Sequence, residues 1–91
     1  MKYRSRTDII ATILECARDG GRKTHIMSRA YISHTQVELH LELLEANGLL
    51  EYEPQDSSFK TTGKGLAFLQ VYRYMNGIAS QIKPLSRAKR K

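Results

Sequence analysis

The chain has a single cysteine, no tryptophan and only two prolines among its 91 residues. One cysteine cannot form an intrachain disulfide, so we expect a reducing compartment. No stretch is long and apolar enough to cross a bilayer, and the basic start is not followed by the apolar segment of a signal peptide. We therefore expect a cytoplasmic protein that does not bind membranes.

Charges of one sign are missing from two long stretches of the sequence. Residues 30–59 contain six acidic residues and no lysine or arginine, whereas residues 60–91 contain eight basic residues and no acid. Residues 1–29 add seven basic and three acidic residues, which brings the net charge to +6. A small basic protein usually has a polyanion as its partner. The separation of acidic and basic residues along the sequence also indicates which segments are suited to contact that partner.

Residues with catalytic or metal-binding spacing are scarce as well. His25, His34 and His40 are not i,i+4 neighbours, and the one thiol, Cys16, has no second thiolate near it in sequence. Gly63-Lys64-Gly65 lacks the strand and the spacing of a phosphate-binding loop. We expect no enzyme activity, no metal, no cofactor and no small-molecule substrate.

Hydrophobic periodicity predicts helices at 7–18, 23–29, 33–47 and from 62 towards 82, with strands at 49–53 and 58–61. The expected N-cap residues are Ser5 or Thr7, Thr24, Ser33, and Thr61 or Thr62. Three short helices, a hairpin and a fourth helix predict a mainly α fold with a small β-hairpin, of the α+β class. This is the element order of a winged helix-turn-helix, in which the second and third helices form the helix-turn-helix pair.

The last helix carries two apolar stripes. Leu66 and Leu69 are expected to pack into the core. The second stripe steps by three, four, three and four residues, as the seam of a coiled coil does, and consists of Phe68, Val71, Met75, Ile78 and Ile82. We expect this stripe to join two copies into a homodimer, because a monomer would expose it to water. The alternative is that the helix folds back and buries both stripes on its own domain.

These elements divide the chain into three parts. Residues 1–65 form the expected winged helix-turn-helix domain, and residues 66–83 form the expected dimerisation helix. Residues 84–91 follow a proline and are too basic and too poor in apolar residues to pack, which predicts a flexible basic tail.

Three motifs distributed over most of the chain carry a resemblance to a known family. They are Lys23-Thr24-x-Ile26-Met27, Leu41-x-x-Leu44-x-x-x-Gly48-Leu49-Leu50 and Phe59-x-x-Thr62-x-Lys64-Gly65. On these motifs the chain resembles the small archaeal winged-helix proteins of the ten-a type. The resemblance implies binding of double-stranded DNA, a dimer joined by a C-terminal antiparallel coiled coil, and a transcription-regulatory or chromatin-associated role in the nucleoid. One departure is Thr61, where such proteins often carry an aliphatic residue.

The first turn of the third helix holds the residues expected to read bases, since this turn faces the major groove in a helix-turn-helix. These residues are Ser33, His34, Thr35 and Gln36. Gln36 can pair bidentately with adenine, Ser33 and Thr35 can bond bases or phosphates, and His34 can donate to a phosphate. The alternative is an ordinary solvated helix face, which the neighbouring Glu38 favours because a carboxylate repels phosphates.

Phosphate contacts need lysine or arginine, and the third helix has neither. The expected phosphate-binding residues therefore lie on flanking elements and are Arg22, Lys23, Thr24, Arg29, Lys60 and Lys64, with Arg4 and Arg6 at the start of the chain. Two other functions stay open. An adapter would dock a basic protein on the acidic third helix, and an RNA-binding protein would use the basic ends.

Overall fold

A computed structural model describes residues 5–82 of the chain. Its elements are α1 (Arg6–Cys16), β1 (Gly21–Arg22), α2 (Lys23–Ala30), α3 (His34–Ala46), β2 (Leu50–Glu53), β3 (Ser58–Thr61) and α4 (Gly63–Ala79). The strands form one antiparallel sheet in the order β1-β3-β2. The predicted winged helix-turn-helix of the α+β class is confirmed. Arg4 and the predicted basic tail, residues 84–91, lie outside the described residues.

Local capping chemistry fixes where three of the helices begin. Ser5 and Ser33 each accept a hydrogen bond from the backbone amide three residues ahead, and a side chain from that residue bonds back in a capping box. Thr62 caps α4 by accepting from the amide of Gly65 at 3.1 Å. The caps expected at Ser33 and Thr62 are therefore confirmed, and Ser5 is the correct choice at α1.

The predicted start of α2 at Lys23 is confirmed, but its predicted cap is wrong and a strand precedes it that the sequence did not predict. Gly21 and Arg22 pair with Phe59 and Ser58 as β1, a strand too short to show any periodicity. Arg22 is therefore extended and stands at the N-cap position, with no side-chain hydrogen bond to the helix. Thr24 lies inside the helix and is not its cap.

The core lies between the sheet and all four helices. Its fully buried large side chains are Ile13, Leu14, Ile26, Val37, Leu44 and Leu50. From α4, Leu69 joins them, as predicted, but Leu66 is 43% exposed and its predicted packing is wrong. The reason is that Gly65 and Leu69, four residues apart, face the core, which turns Leu66 about 100° away from it.

Thr61 connects the hairpin to α1. It is buried, its hydroxyl donates to the carbonyl of Leu14 at 2.6 Å, and its amide donates to the carbonyl of Ala17 at 2.9 Å. Carbonyl groups at the end of a helix lack intrahelical partners, so these bonds satisfy the end of α1. Threonine at this position thus makes a hydrogen bond to the end of α1 that an aliphatic side chain could not make.

Gly65 and Gly77 both lie in α4 and differ in their surroundings. A Cβ at Gly65 would stand 2.5 Å from the carbonyl oxygen of Leu49 and from a methyl group of Thr61, whereas nothing lies within 4 Å of a Cβ at Gly77. We predict that Gly65→Ala lowers the free energy of unfolding by about 1–3 kcal/mol, as overpacking does. Gly77→Ala, the matched control, should raise it by about 0.5–1 kcal/mol because alanine favours a helix. Urea denaturation measures both, and an equal effect of the two substitutions would contradict the close approach at Gly65.

Candidate nucleic-acid interface

The first turn of α3 is exposed, and part of its hydrogen-bonding capacity is already used. Ser33 Oγ accepts from the amide of Gln36 at 3.2 Å, and Gln36 Oε1 accepts from the amide of Ser33 at 3.0 Å. A bidentate contact to adenine needs both the oxygen and the nitrogen of the Gln36 amide group. Gln36 must therefore leave the capping box before it can make that contact.

Lys23, Glu38 and His34 form a charged cluster beside the first two turns of α3. Lys23 Nζ lies 2.5 Å from Glu38 Oε2, and His34 Nε2 lies 3.4 Å from the same oxygen. All three side chains are well exposed. The hydrogen bond from Lys23, together with its charge, holds the pKa of Glu38 below its ordinary value. Two of the predicted DNA-binding side chains are thus brought together by a carboxylate.

A groove runs between α3 and the hairpin, and we call it the α3–wing groove. Arg22, Lys23 and Thr24 line one side of it, which brings three of the predicted phosphate-binding residues together. The rest of its lining is Glu38, Leu41, Glu42, Glu45, Tyr52, Ser57 and Phe59. The groove is cationic at the start of α2 and acidic along α3, so only its α2 side suits a phosphate.

The other predicted phosphate-binding residues lie elsewhere. Arg29 lines a second groove, between α1, α2 and α4, together with His25 and Arg73. Lys64 Nζ donates to the carbonyl of Asn47, at the C-terminal end of α3. That end is roughly 20 Å from the first turn of α3, given a rise of about 1.5 Å per residue.

The hairpin is acidic around its one lysine. Lys60 stands opposite Glu51 in the register of β2 and β3, and the concave surface beside it is lined by Asp19, Glu53 and Asp56. A surface of this charge repels phosphates. Of the described hairpin residues, therefore, none but Lys60 offers a positive charge.

One exposed residue between α2 and α3 was not predicted from the sequence. Tyr31 connects α2 to α3 in a left-handed conformation, with φ 56° and ψ 47°, and its side chain is 85% exposed. Non-glycine residues rarely adopt this conformation. Nothing in the amino-acid pattern marks the position, because the left-handed residue of such a turn is usually glycine or asparagine.

The predicted dimerisation stripe is mostly uncovered in the single chain. Val71, Met75, Ile78 and Ile82 are between 45% and 69% exposed. Phe68 is half-buried, packs against the core and stacks on Tyr72, with ring centroids 6.5 Å apart. The alternative prediction, that the last helix folds back and buries both apolar stripes on its own domain, is therefore wrong for the single chain.

A model of the winged helix-turn-helix family matches residues 3–80, which is most of the chain. The chain belongs to the winged helix-turn-helix family. Among solved structures, the crystal structure of Sso10a-2, a DNA-binding protein from Sulfolobus solfataricus, is similar with a TM-score of 0.66 and 17% sequence identity. The match covers 90% of this chain and 100% of that one. No curated protein matches the chain significantly.

These comparisons confirm the resemblance that the sequence motifs predicted. In this winged helix-turn-helix protein, α2 and α3 are the helix-turn-helix pair and the β2–β3 hairpin is the wing. Within residues 5–82, no group of three or more histidine, cysteine, aspartate or glutamate side chains is placed to hold a metal ion. None of the helices in that range is long and apolar enough to span a membrane.

The charged cluster makes a prediction about the titration of Glu38. Lys23→Gln should raise the pKa of Glu38 towards its ordinary value, because the substitution removes the hydrogen bond and the charge that lower it. Since the folded-state pKa is the lower one, the pair stabilises the fold above the unfolded-state pKa. That contribution disappears as the pH falls through the folded-state pKa. Carbon NMR of the Glu38 carboxyl group during a pH titration measures the change.

Lys60→Gln is the matched control, since Lys60 makes no ion pair with Glu38. It removes the same charge from the wing and should leave the pKa of Glu38 where it is. An equal rise in the pKa of Glu38 in both variants would show that the net charge of the protein, and not the contact with Lys23, lowers that pKa.

Proposed function

We propose that this winged helix-turn-helix protein is a non-enzymatic DNA-binding protein that acts on double-stranded DNA as a homodimer. The first turn of α3 would enter the major groove, with Ser33, His34, Thr35 and Gln36 towards the bases. Arg22, Lys23 and Thr24 would hold the adjacent phosphates. The observation that carries the proposal is that His34 in this exposed polar turn and Lys23 at the start of α2 both contact the same carboxylate, Glu38, so the two elements lie side by side.

Family membership and charge support the same conclusion. Sso10a-2, which has this fold, is a DNA-binding protein, and the net charge of +6 suits a polyanion.

Burial raises the pKa of the Cys16 thiol, which keeps it in the less reactive protonated form. We place the protein in the cytoplasm at the nucleoid, in transcription regulation or as a chromatin component.

The remaining predicted contacts belong to the outer part of the proposed interface. Arg29, Lys60 and Lys64 lie on other surfaces of the domain, so each would reach only a phosphate distant from the α3–wing groove. Contacts to phosphates fix position and not sequence. The proposed binding mode is therefore led by the DNA backbone, with the first turn of α3 adding a smaller sequence preference.

The proposed dimer uses α4. Val71, Met75 and Ile78 form an exposed stripe on this helix with coiled-coil spacing, and a monomer would leave them in water. The helix ends at Ala79 and not at the predicted Ile82, so Ile82 extends the apolar surface from just beyond the helix. We propose residues 66–83 as the dimerisation segment, within which α4 extends to Ala79, and residues 1–65 as the DNA-binding domain. Two α3 helices spaced by one turn of DNA, about 34 Å, would then contact successive major grooves.

Salt dependence tests the proposed DNA binding. The affinity for a fluorescent duplex should fall between 50 and 200 mM salt, by about 0.9 log units per tenfold salt for each phosphate neutralised. Arg22→Gln should reduce this slope by about 0.9 and weaken binding roughly five- to tenfold at low salt. Arg73→Gln is the matched control, because Arg73 is paired with Glu15 and lines a different groove from Arg22. It should change binding less than twofold.

Two results would contradict the proposed function. One is the absence of duplex binding at 50 mM salt. The other is a structured RNA that competes far more strongly than duplex DNA, which would favour the RNA-binding alternative. Capture of a basic protein by the acidic α3 and wing, without any DNA binding, would favour the adapter.

The oligomeric state of an α4 variant tests the dimer. Met75→Glu places a charge in the centre of the stripe, so the dimer should dissociate at least about 100-fold more readily, because an unpaired charge is costly to bury. Gln70→Glu adds the same charge on another face of α4 and should leave the dimer intact. Sedimentation equilibrium distinguishes the two states. A wild-type chain that sediments as a monomer at high concentration would exclude this interface.

A further inference from the structure

Glu38 is the one acidic residue of α3 that makes ion pairs among the described residues. It accepts from Lys23 at 2.5 Å and lies 3.4 Å from His34 Nε2. Glu45 is seven residues further along α3 and therefore on the same side of the helix, two turns away. It lines the same α3–wing groove and has no ion pair with a described residue. Glu38 and Glu45 thus carry the same charge, and what distinguishes Glu38 is its ion pairs with Lys23 and His34.

The partners of Glu38 are the side chains that a DNA phosphate would take at this place. A carboxylate and a phosphate both present anionic oxygens to an ammonium group and to an imidazole N–H. Lys23 cannot give its full charge to a phosphate while Glu38 holds it. In the free protein, the Lys23–Glu38 pair is close to neutral, so it releases few counterions from DNA.

We infer that Glu38 acts as an internal substitute for a DNA phosphate and restrains non-specific binding by occupying Lys23 and His34. This inference rests on the proposed DNA binding and deepens it. A phosphate must displace the carboxylate before Lys23 can contact DNA, so Lys23 adds less to sequence-independent affinity than an unpaired lysine would. The exposed position of the pair allows this exchange without unfolding, since solvent and ligand reach both side chains.

Glu38→Gln tests the inference, because glutamine keeps the shape of the side chain and removes its charge. The variant should bind a duplex of arbitrary sequence about tenfold more tightly at 50 mM salt than the wild type does. The slope of log affinity against log salt should become steeper by about 0.9, which corresponds to one additional neutralised phosphate. Glu45→Gln, the matched control, should change affinity less than twofold and leave the slope unchanged.

A double-mutant cycle with Lys23→Gln separates this mechanism from simple repulsion between Glu38 and DNA. If Glu38 acts by occupying Lys23, the gain from Glu38→Gln should fall to within twofold in the Lys23→Gln background. Lys23→Gln should therefore weaken the Glu38→Gln variant at least about fivefold more than it weakens the wild type. The coupling between the two positions is the quantity that carries the inference.

Three outcomes would overturn the inference while leaving the proposed function in place. These are an equal gain for Glu38→Gln and Glu45→Gln, a gain that persists in the Lys23→Gln background, and weaker binding by Glu38→Gln. The last outcome would make Glu38 a residue that positions Lys23 for a phosphate. Failure of the wild type and of every variant to bind duplex DNA would overturn both proposals together.

Discussion

The fold depends on the junction at which the hairpin returns to the helices. Thr61 donates to the carbonyls of Leu14 and Ala17 at the end of α1, and the next residue, Thr62, caps α4 and donates to the carbonyl of Gly48. Gly65 then lets α4 approach the backbone at Leu49 so closely that no Cβ fits between them. Five consecutive residues thereby fix α1, α3, the wing and α4 relative to one another.

Charges that are separated along the sequence meet in the folded domain. Arg73 on α4 donates to Glu15 on α1, and Lys60 on β3 stands opposite Glu51 on β2. Acidic residues of earlier elements therefore partly neutralise the basic residues of β3 and α4. In the same way, Lys23 of α2 partly neutralises the acidic α3. Net charge overstates the positive surface available to a polyanion, and what remains near the first turn of α3 is concentrated at Arg22.

Local chemistry could be predicted from the sequence, and contacts between distant residues could not. The caps at Ser33 and Thr62 follow from a side chain and an amide three residues apart, so the pattern was visible. β1 consists of two residues that pair with β3 across the domain, and no local pattern reports such a pairing. In the same way, the exposed turn of α3 was predicted, but the bond between Lys23 and Glu38, 15 residues apart, was not.

The capping box also limits what α3 can read under the proposed binding mode. A bidentate contact to adenine is worth about 1–3 kcal/mol of discrimination. Releasing Gln36 from Ser33 gives up part of a cap whose loss costs about 0.5–2 kcal/mol. The second term offsets part of the first, so Gln36 adds less net preference for adenine than a glutamine outside a capping box would. Thr35 has no hydrogen bond through its hydroxyl to another described residue, and it can contact a base without disturbing the helix start. Gln36 can therefore discriminate between bases only at the expense of the helix start, whereas a contact from Thr35 leaves the capping box intact.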